Sequence, residues 1–381
     1  MNRVTELRER GAARFAEVGF PTTRQEAWRF TDVRAIAEGS FGKGVSRWTV
    51  DANGAKGLLV GDLSQAGDVA QAHLGRYADL AANPFTALAT AYLDDVQVVS
   101  IPARTDVLTP VRLSHRLEGA GAVMGTPRVL IVVGERARAT VIEIHEDSRA
   151  EASFSNSVTE IVLGDGAVLD YVRVQREGLG ATHIATTQSH QGRDSVLRST
   201  SVALGAGLCR HDLGAVLAGT GASLVLNGLT VIGGSQHVDY HTTIDHAQPH
   251  CESHELFNGV FDGRARGIFN GRIIVRPGAQ RTDSKQTNNN LLLSKDARAD
   301  SQPQLEIYAD DVKCTHGATL GPLDPTALFY LRSRGLSAAT AKNLLTYGFA
   351  ADILTRIAVA PVRDELDRVI RGRLGVEALA A

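Results

Sequence analysis

Glu160-Ile161-Val162-Leu163 runs into Gly164-Asp165-Gly166 and out again as Ala167-Val168-Leu169-Asp170-Tyr171-Val172. Two short apolar runs joined by a glycine turn read as consecutive strands. The style recurs in Val129-Leu130-Ile131-Val132-Val133 before Gly134, in Val202-Ala203-Leu204-Gly205, and in Ser223-Leu224-Val225-Leu226-Asn227-Gly228. Residues 119–278 hold 22 of the 38 glycines, and no proline lies between Pro127 and Pro249. Such a stretch suits many short strands with tight turns. No strict repeat period emerges, and no long helical pattern interrupts it. A solenoid, a sandwich or a barrel fits. A stacked solenoid is attractive because each coil buries its apolar face only against its neighbours.

Outward from this core the pattern turns helical. Val4, Leu7, Phe15 and Val18 fall near one face of a 3.6-residue period, and Gly19 and Pro21 supply a stop. The aromatics of Arg24-Gln25-Glu26-Ala27-Trp28-Arg29-Phe30-Thr31 anchor that segment to something larger. Residues 46–110 look mixed, with a helix near Phe85–Leu93. Toward the C-terminus, Asp324-Pro325 opens a helical segment that Gly335 closes, and Ser337 is a good N-cap for the next. Val362, Leu366, Val369 and Ile370 form one apolar stripe beyond Pro361. These helices read as a cap on the β core or as a docking surface for another subunit.

Composition excludes several classes. With 381 residues and 43 % hydrophobic content the chain can bury a sizeable core. A net charge of −2 argues against nucleic-acid binding by bulk charge. No apolar run approaches a membrane span, and Met1-Asn2-Arg3-Val4-Thr5-Glu6 lacks the apolar stretch of a signal peptide. Three cysteines (Cys209, Cys251 and Cys314) make a disulfide framework unexpected. Together these features point to a soluble, cytoplasmic protein. Gly39-Ser40-Phe41-Gly42-Lys43-Gly44 fails as a phosphate loop in spacing and in its last residue, and no C-x-x-C, H-E-x-x-H or G-x-S-x-G occurs.

Two clusters carry candidate chemistry. Eight of the twelve histidines lie between His183 and His254, densest from His241 to Asp245-His246 and through His250-Cys251-Glu252-Ser253-His254-Glu255. The ligand types suit zinc or iron, but the spacings match no standard site. In Cys314-Thr315-His316 the thiol and imidazole share a face if the segment is extended. They could bind a metal together, or the histidine could lower the thiol pKa. Two ligands are too few for a closed site, so a complete one needs partners from elsewhere. The run Asn288-Asn289-Asn290 reads as polar turn residues or as an Asn ladder capping a buried strand.

Residues 264–349 resemble the C-terminal signature of the SufB/SufD family of iron–sulfur cluster assembly scaffolds. The resemblance rests on Gly267-Ile268-Phe269-Asn270-Gly271-Arg272-Ile273, on Ala279-Gln280-Arg281-Thr282-Asp283-Ser284-Lys285-Gln286, and on Pro303 through Thr319. Phe329-Tyr330-Leu331-Arg332-Ser333-Arg334-Gly335 extends it, and Arg24–Thr31 is similar to the family's entry motif. The chain is similar to the SufD branch rather than the SufB branch. SufB-type chains resemble Glu-His-Glu where this one has Thr315-His316-Gly317, and they carry an essential Cys near the position of Ile307.

The resemblance implies a mainly β protein, with a right-handed parallel β-helix core flanked by helical regions. The regions are 1–100 (N-terminal, helical and mixed), 101–322 (β-helix core) and 323–381 (C-terminal, helical). It implies a non-catalytic scaffold subunit in complex with a SufB-like paralogue and a SufC-like ABC-type ATPase docked on the C-terminal helices. His316 would face a SufB cysteine and contribute to the nascent iron–sulfur cluster, which is transient and shared, with Cys314 as a further candidate metal ligand. The resemblance also hints at a flavin in the assembled complex. A homodimer of the isolated chain stays open. The competing reading is a stand-alone metal-dependent enzyme on a β scaffold, using the His241–His254 cluster.

Overall fold

The computed structural model describes residues 3–52, 56–147, 149 and 151–376. Met1 and Asn2 of the N-terminal region and residues 377–381 of the C-terminal region lie outside the described residues. Two long sheets face each other, and the chain alternates between them. The first contains, in spatial order, the strands Arg128–Val133, Ser153–Leu163, Ala181–Gln191, Leu208–Leu217, His237–His246, Arg266–Val275 and Arg298–Ile307. The second contains Val111–Glu118, Arg138–Asp147, Val168–Glu177, Val196–Ala203, Ser223–Ile232, Glu252–Phe261, Asp283–Leu292 and Lys313–Gly321. Every second strand pairs in parallel, which decides for the solenoid over the sandwich and the barrel: a parallel β-helix of about eight turns.

The glycine turns are the corners of this helix. Gly134, Gly164, Gly192 and Gly219 stack from coil to coil, and a Cβ on Gly219 would lie 2.1 Å from the Arg193 backbone nitrogen. The missing repeat period also has a cause. Val168 pairs with Val196, Val196 with Ser223, Ser223 with Glu252, Glu252 with Asp283 and Asp283 with Lys313. Coil length therefore drifts between 27 and 31 residues, because the corners vary while strand register holds.

The lumen is apolar along one strip, with Val141, Ile161, Leu169, Leu217, Leu224 and Ile244 in one cluster. Beside that strip runs a buried polar network. Glu143 accepts from the Tyr171 hydroxyl at 2.7 Å and faces His145 at 2.6 Å, and His183 lies between Arg173 (2.6 Å) and Glu177 (2.7 Å). Each of these groups is buried.

Helices cover the outer faces. The N-terminal region holds α1 (Arg3–Val18), α2 (Arg34–Ala37), α3 (Gly67–His73) and α4 (Pro84–Ala91). It packs Phe85 and Trp28 against Phe154 and Ile184 of the first sheet, and Leu7 and Leu74 against Leu130. The Arg24–Thr31 segment is anchored as its aromatics suggest. Trp28 lies under the guanidinium of Arg210 at 3.7 Å, and Thr31 donates to Asp239 at 2.5 Å. Arg210 is itself paired with Asp212 (2.8 Å) and Asp239 (2.9 Å).

The C-terminal helices are α5 (Pro325–Ser333), α6 (Ala338–Leu354) and α7 (Ala360–Leu374), with Asp324 and Ser337 as N-caps. Ile353, Leu366 and Ile370 pack on Ile142, Val172, Val202 and Leu229 of the second sheet. The helices thus cover a flank of the solenoid rather than its end, which qualifies the sequence expectation of a cap. No described helix is long and apolar enough to cross a membrane.

Candidate functional site

Because the helices lie on the flank, the last coil is open. The strands Arg298–Ile307 and Lys313–Gly321 each end their sheet and pair on one side only. Most residues of the final strand are exposed, in contrast to the buried strands before it. Ile307, Tyr308 and Leu320 are 40 %, 60 % and 57 % exposed at this end. A row of unpaired backbone donors and acceptors flanked by apolar side chains is a template for pairing with another chain.

Parallel register fixes which side chains share a face. Cys314 sits beside Ser284 and His316 beside Gln286. Ser284 and Gln286 sit in turn beside Ser253 and Glu255. Ser253, Glu255, Ser284 and Gln286 are buried in the lumen. Cys314 and His316 are therefore the outermost rungs of two lumen-facing columns, which brings together the two residues singled out from the sequence. His316 is exposed and Cys314 half-buried.

The column under Cys314 is a hydrogen-bonded file: His246 Nε2 to the Ser253 hydroxyl at 2.8 Å, and that hydroxyl to Ser284 at 2.7 Å. Under His316, the Gln286 amide donates to Glu255 at 2.6 Å. Burial pushes the Glu255 carboxyl up to about 7, against the pull of its hydrogen bonds from Gln286 and Thr242. Cys314 also packs with Leu305 and Val312 on Ile273, Val275, Ala279 and Ala309. Burial, then the Asp283 charge, pushes its thiol above the ordinary value. The expectation that the neighbouring histidine lowers the thiol pKa is corrected: half-burial beside a carboxylate wins.

As donors, an imidazole and a thiol suit iron, but two donors do not close a site. Among the described residues no group of three or more His, Cys, Asp and Glu side chains could hold a metal ion. The His241–His254 cluster does not converge. His241 pairs with Asp239 at 3.0 Å on the outer face of the first sheet. His246 faces the lumen, and His250 occupies an exposed corner at φ 59°. Cys251 is buried in the apolar core, with its thiol donating to the Gly219 carbonyl at 3.3 Å. His254 is exposed on the outer face of the second sheet. Coiling spread residues that are close in sequence over both sheets and both faces.

The Asn run is a ladder within a strand, not a turn. Asn289 donates to Asn258 at 3.1 Å and accepts from Thr319 at 2.8 Å on the outer face, while Asn288 and Asn290 are buried in the lumen. Sequence reasoning did not single out Gln286 or Ser284 as site residues. Their signal was weak, because polar residues occupy both faces from Asp283 to Asn290 and hide the period-two alternation.

Comparison with known proteins bears on this geometry. The family model described as "SUF system FeS cluster assembly, SufBD core domain" matches residues 115–349, more than half of the chain. The chain is 37 % identical over 298 residues to an iron–sulfur cluster assembly SufBD family protein of Synechocystis, covering 76 % of this chain and 66 % of that protein. It is 35 % identical over 270 residues to the iron–sulfur cluster assembly protein SufD of Escherichia coli, covering 70 % and 63 %. The match thus spans less than two thirds of the length of each of these relatives. A SufBD family protein of Mycobacterium tuberculosis is 31 % identical over 372 residues, covering 93 % of this chain and 90 % of that one.

Proposed function

The chain belongs to the SufBD family of iron–sulfur cluster assembly proteins, as a SufD-type member, and from that premise we propose that it is the scaffold subunit of a SufB–SufC–SufD complex. The open end of the solenoid docks on a SufB-like paralogue, and His316 meets a thiolate of that partner. The nascent cluster is cargo shared across the two ends, with iron held by imidazole and sulfur. Cys314 is a second donor at the same mouth, and its thiol must lose a proton to ligate. The chain is a non-catalytic scaffold. ATP hydrolysis belongs to a SufC-like subunit docked on the C-terminal helices, where α5 leaves Phe329 and Tyr330 73 % and 56 % exposed. The complex works in the cytoplasm, and three unpaired cysteines suit a reducing compartment.

The observation that carries this reading is the open final coil, with Cys314 and His316 as its outermost lumen-facing rungs. A second copy of this chain could pair on the same two edge strands when no paralogue is present. The test is co-expression with SufB-like and SufC-like partners and anaerobic purification of wild type and His316→Ala. Subunit stoichiometry, iron and acid-labile sulfide are measured, and any flavin is read from the same sample by its visible absorbance. The expected result is a stable complex whose iron and sulfide fall in the variant. A complex with unchanged content makes His316 structural. No complex, with metal bound by the lone chain, refutes the scaffold reading.

A further inference from the structure

We infer that Gln286 is the positioning residue for His316: its side-chain oxygen, unpartnered in the structure, is the acceptor toward which one ring nitrogen of the exposed histidine turns, which leaves the other nitrogen facing the open end. The purpose of this arrangement rests on the functional reading above, but its geometry does not.

Glu255, Gln286 and His316 are three successive rungs of one lumen-facing column, each in register with the next. Neighbouring rungs are about 4.8 Å apart, within reach of these side chains. The middle rung is 1 % exposed. Its nitrogen donates to Glu255 at 2.6 Å. An ionised carboxylate only accepts, so the amide can face it in one sense, nitrogen first. Gln286 Oε1 is then turned away from Glu255, and it is buried without a hydrogen-bond partner among the described residues. Buried acceptors are seldom left unmatched.

The opposite wall makes room for the amide. A Cβ on Gly271 would lie 2.2 Å from Gln286 Nε2, so only a glycine there leaves the amide its place. Donors on the same strand are already engaged. Asn288 Nδ2 donates to the Phe257 carbonyl at 3.3 Å, and the Ser284 hydroxyl bonds Ser253 at 2.7 Å. The next rung outward is His316, whose ring makes no hydrogen bond to the described residues and which is exposed at the mouth. A neutral imidazole has one N–H and one lone pair, and the hydrogen bond made by the first decides which nitrogen is free to ligate. A turn of the exposed His316 ring onto the unpartnered Gln286 oxygen then presents the histidine to the open end with its lone pair outward.

The test needs neither partner nor metal. Ring-nitrogen NMR spectra of the full chain, labelled with 15N-histidine, are recorded at alkaline pH, where Glu255 is ionised. His316 is assigned by its loss in His316→Ala, and the exposed His254 serves as the internal reference. One His316 tautomer is expected to exceed the other by about fivefold relative to His254, as a hydrogen bond of ordinary net strength gives. Gln286→Met is expected to return the ring to the His254 mixture. Glu255→Gln keeps the shape but lets the Gln286 amide turn over, and it is expected to fall between. Equal tautomer ratios in wild type and Gln286→Met overturn the inference, because water then satisfies the amide oxygen. If Gln286→Met does not fold, an unchanged ratio in Glu255→Gln overturns it. The two readings fail separately. Unchanged iron in a His316→Ala complex refutes the functional role and leaves the tautomer result standing, and an unchanged tautomer refutes only the positioning role.

Discussion

Lowering the pH from 7.5 to 5.0 should cost this fold several kcal/mol through histidines that face the lumen. His115 sits beside His145 and packs against Trp48, the rings tilted with centroids 4.8 Å apart, and its Nε2 is buried without a hydrogen-bond partner among the described residues. Burial lowers its pKa from 6.5 to about 4, against the pull of Glu177 and Glu143, while His183 and Arg173 lower it further. Burial likewise brings His246 to about 4, opposed by Asp245. The folded-state pKa is depressed, so protonation favours the unfolded chain. Stability is intact above about 6.5 and drains as pH falls toward about 4. For an unfolded value near 6.5 and a folded value near 4, the loss between pH 7.5 and 5.0 is about 2 kcal/mol per histidine. His145 and His211, also lowered by burial, add to the total. The quantity to measure is therefore the change on removing one of them. His115→Phe keeps an aromatic ring against Trp48 and removes the titrating group. Urea unfolding of wild type and variant at both pH values should show the acid-induced loss smaller by about 2 kcal/mol in the variant. An unchanged loss would refute the reasoning, whatever the variant does to stability at pH 7.5.

Three further outcomes follow from the packing. Asp239→Asn removes one carboxylate from the buried Arg210 and weakens the hold on Thr31 and the Trp28 segment. It should destabilise by about 3 kcal/mol and expose residues 24–31 to limited proteolysis, measured against wild type. Glu160→Ala should cost about 3–5 kcal/mol, because Arg128 loses its 2.8 Å partner and the backbone N–H groups of Gly75, Tyr77 and Ala78 lose their acceptor. Loosening of α3 in hydrogen exchange would accompany it. Phe329→Ala with Tyr330→Ala should leave stability within about 0.5 kcal/mol, because both rings are exposed, while a co-purified ATPase subunit is lost if α5 is its dock.

Much of the architecture was legible along the chain. Glycine-closed apolar runs marked the strands, because a corner stacked on another corner leaves no room for a Cβ, as at Gly164 and Gly219. The caps at Asp324 and Ser337 and the stripe through Val362, Leu366 and Ile370 marked the C-terminal helices for equally local reasons. Cys314 and His316 were legible as a pair because residues two apart on a strand share a face. The repeat was not legible, since a coil that drifts between 27 and 31 residues leaves no fixed period to find. The central histidines misled because proximity in sequence is not proximity across a corner of the coil.

What the sequence by itself determined was therefore local and periodic: the strands, their glycine corners, the flanking helices, and one thiol–imidazole pair on a common face. Only the tertiary structure decided that the helices lie along a flank and leave the last coil open. It alone set Glu255, Gln286 and His316 in one column, though they are some thirty residues apart in the chain. The physical reason is that register between parallel strands is a non-local quantity. It is set by how each coil stacks on the one before, and no window of sequence contains both partners.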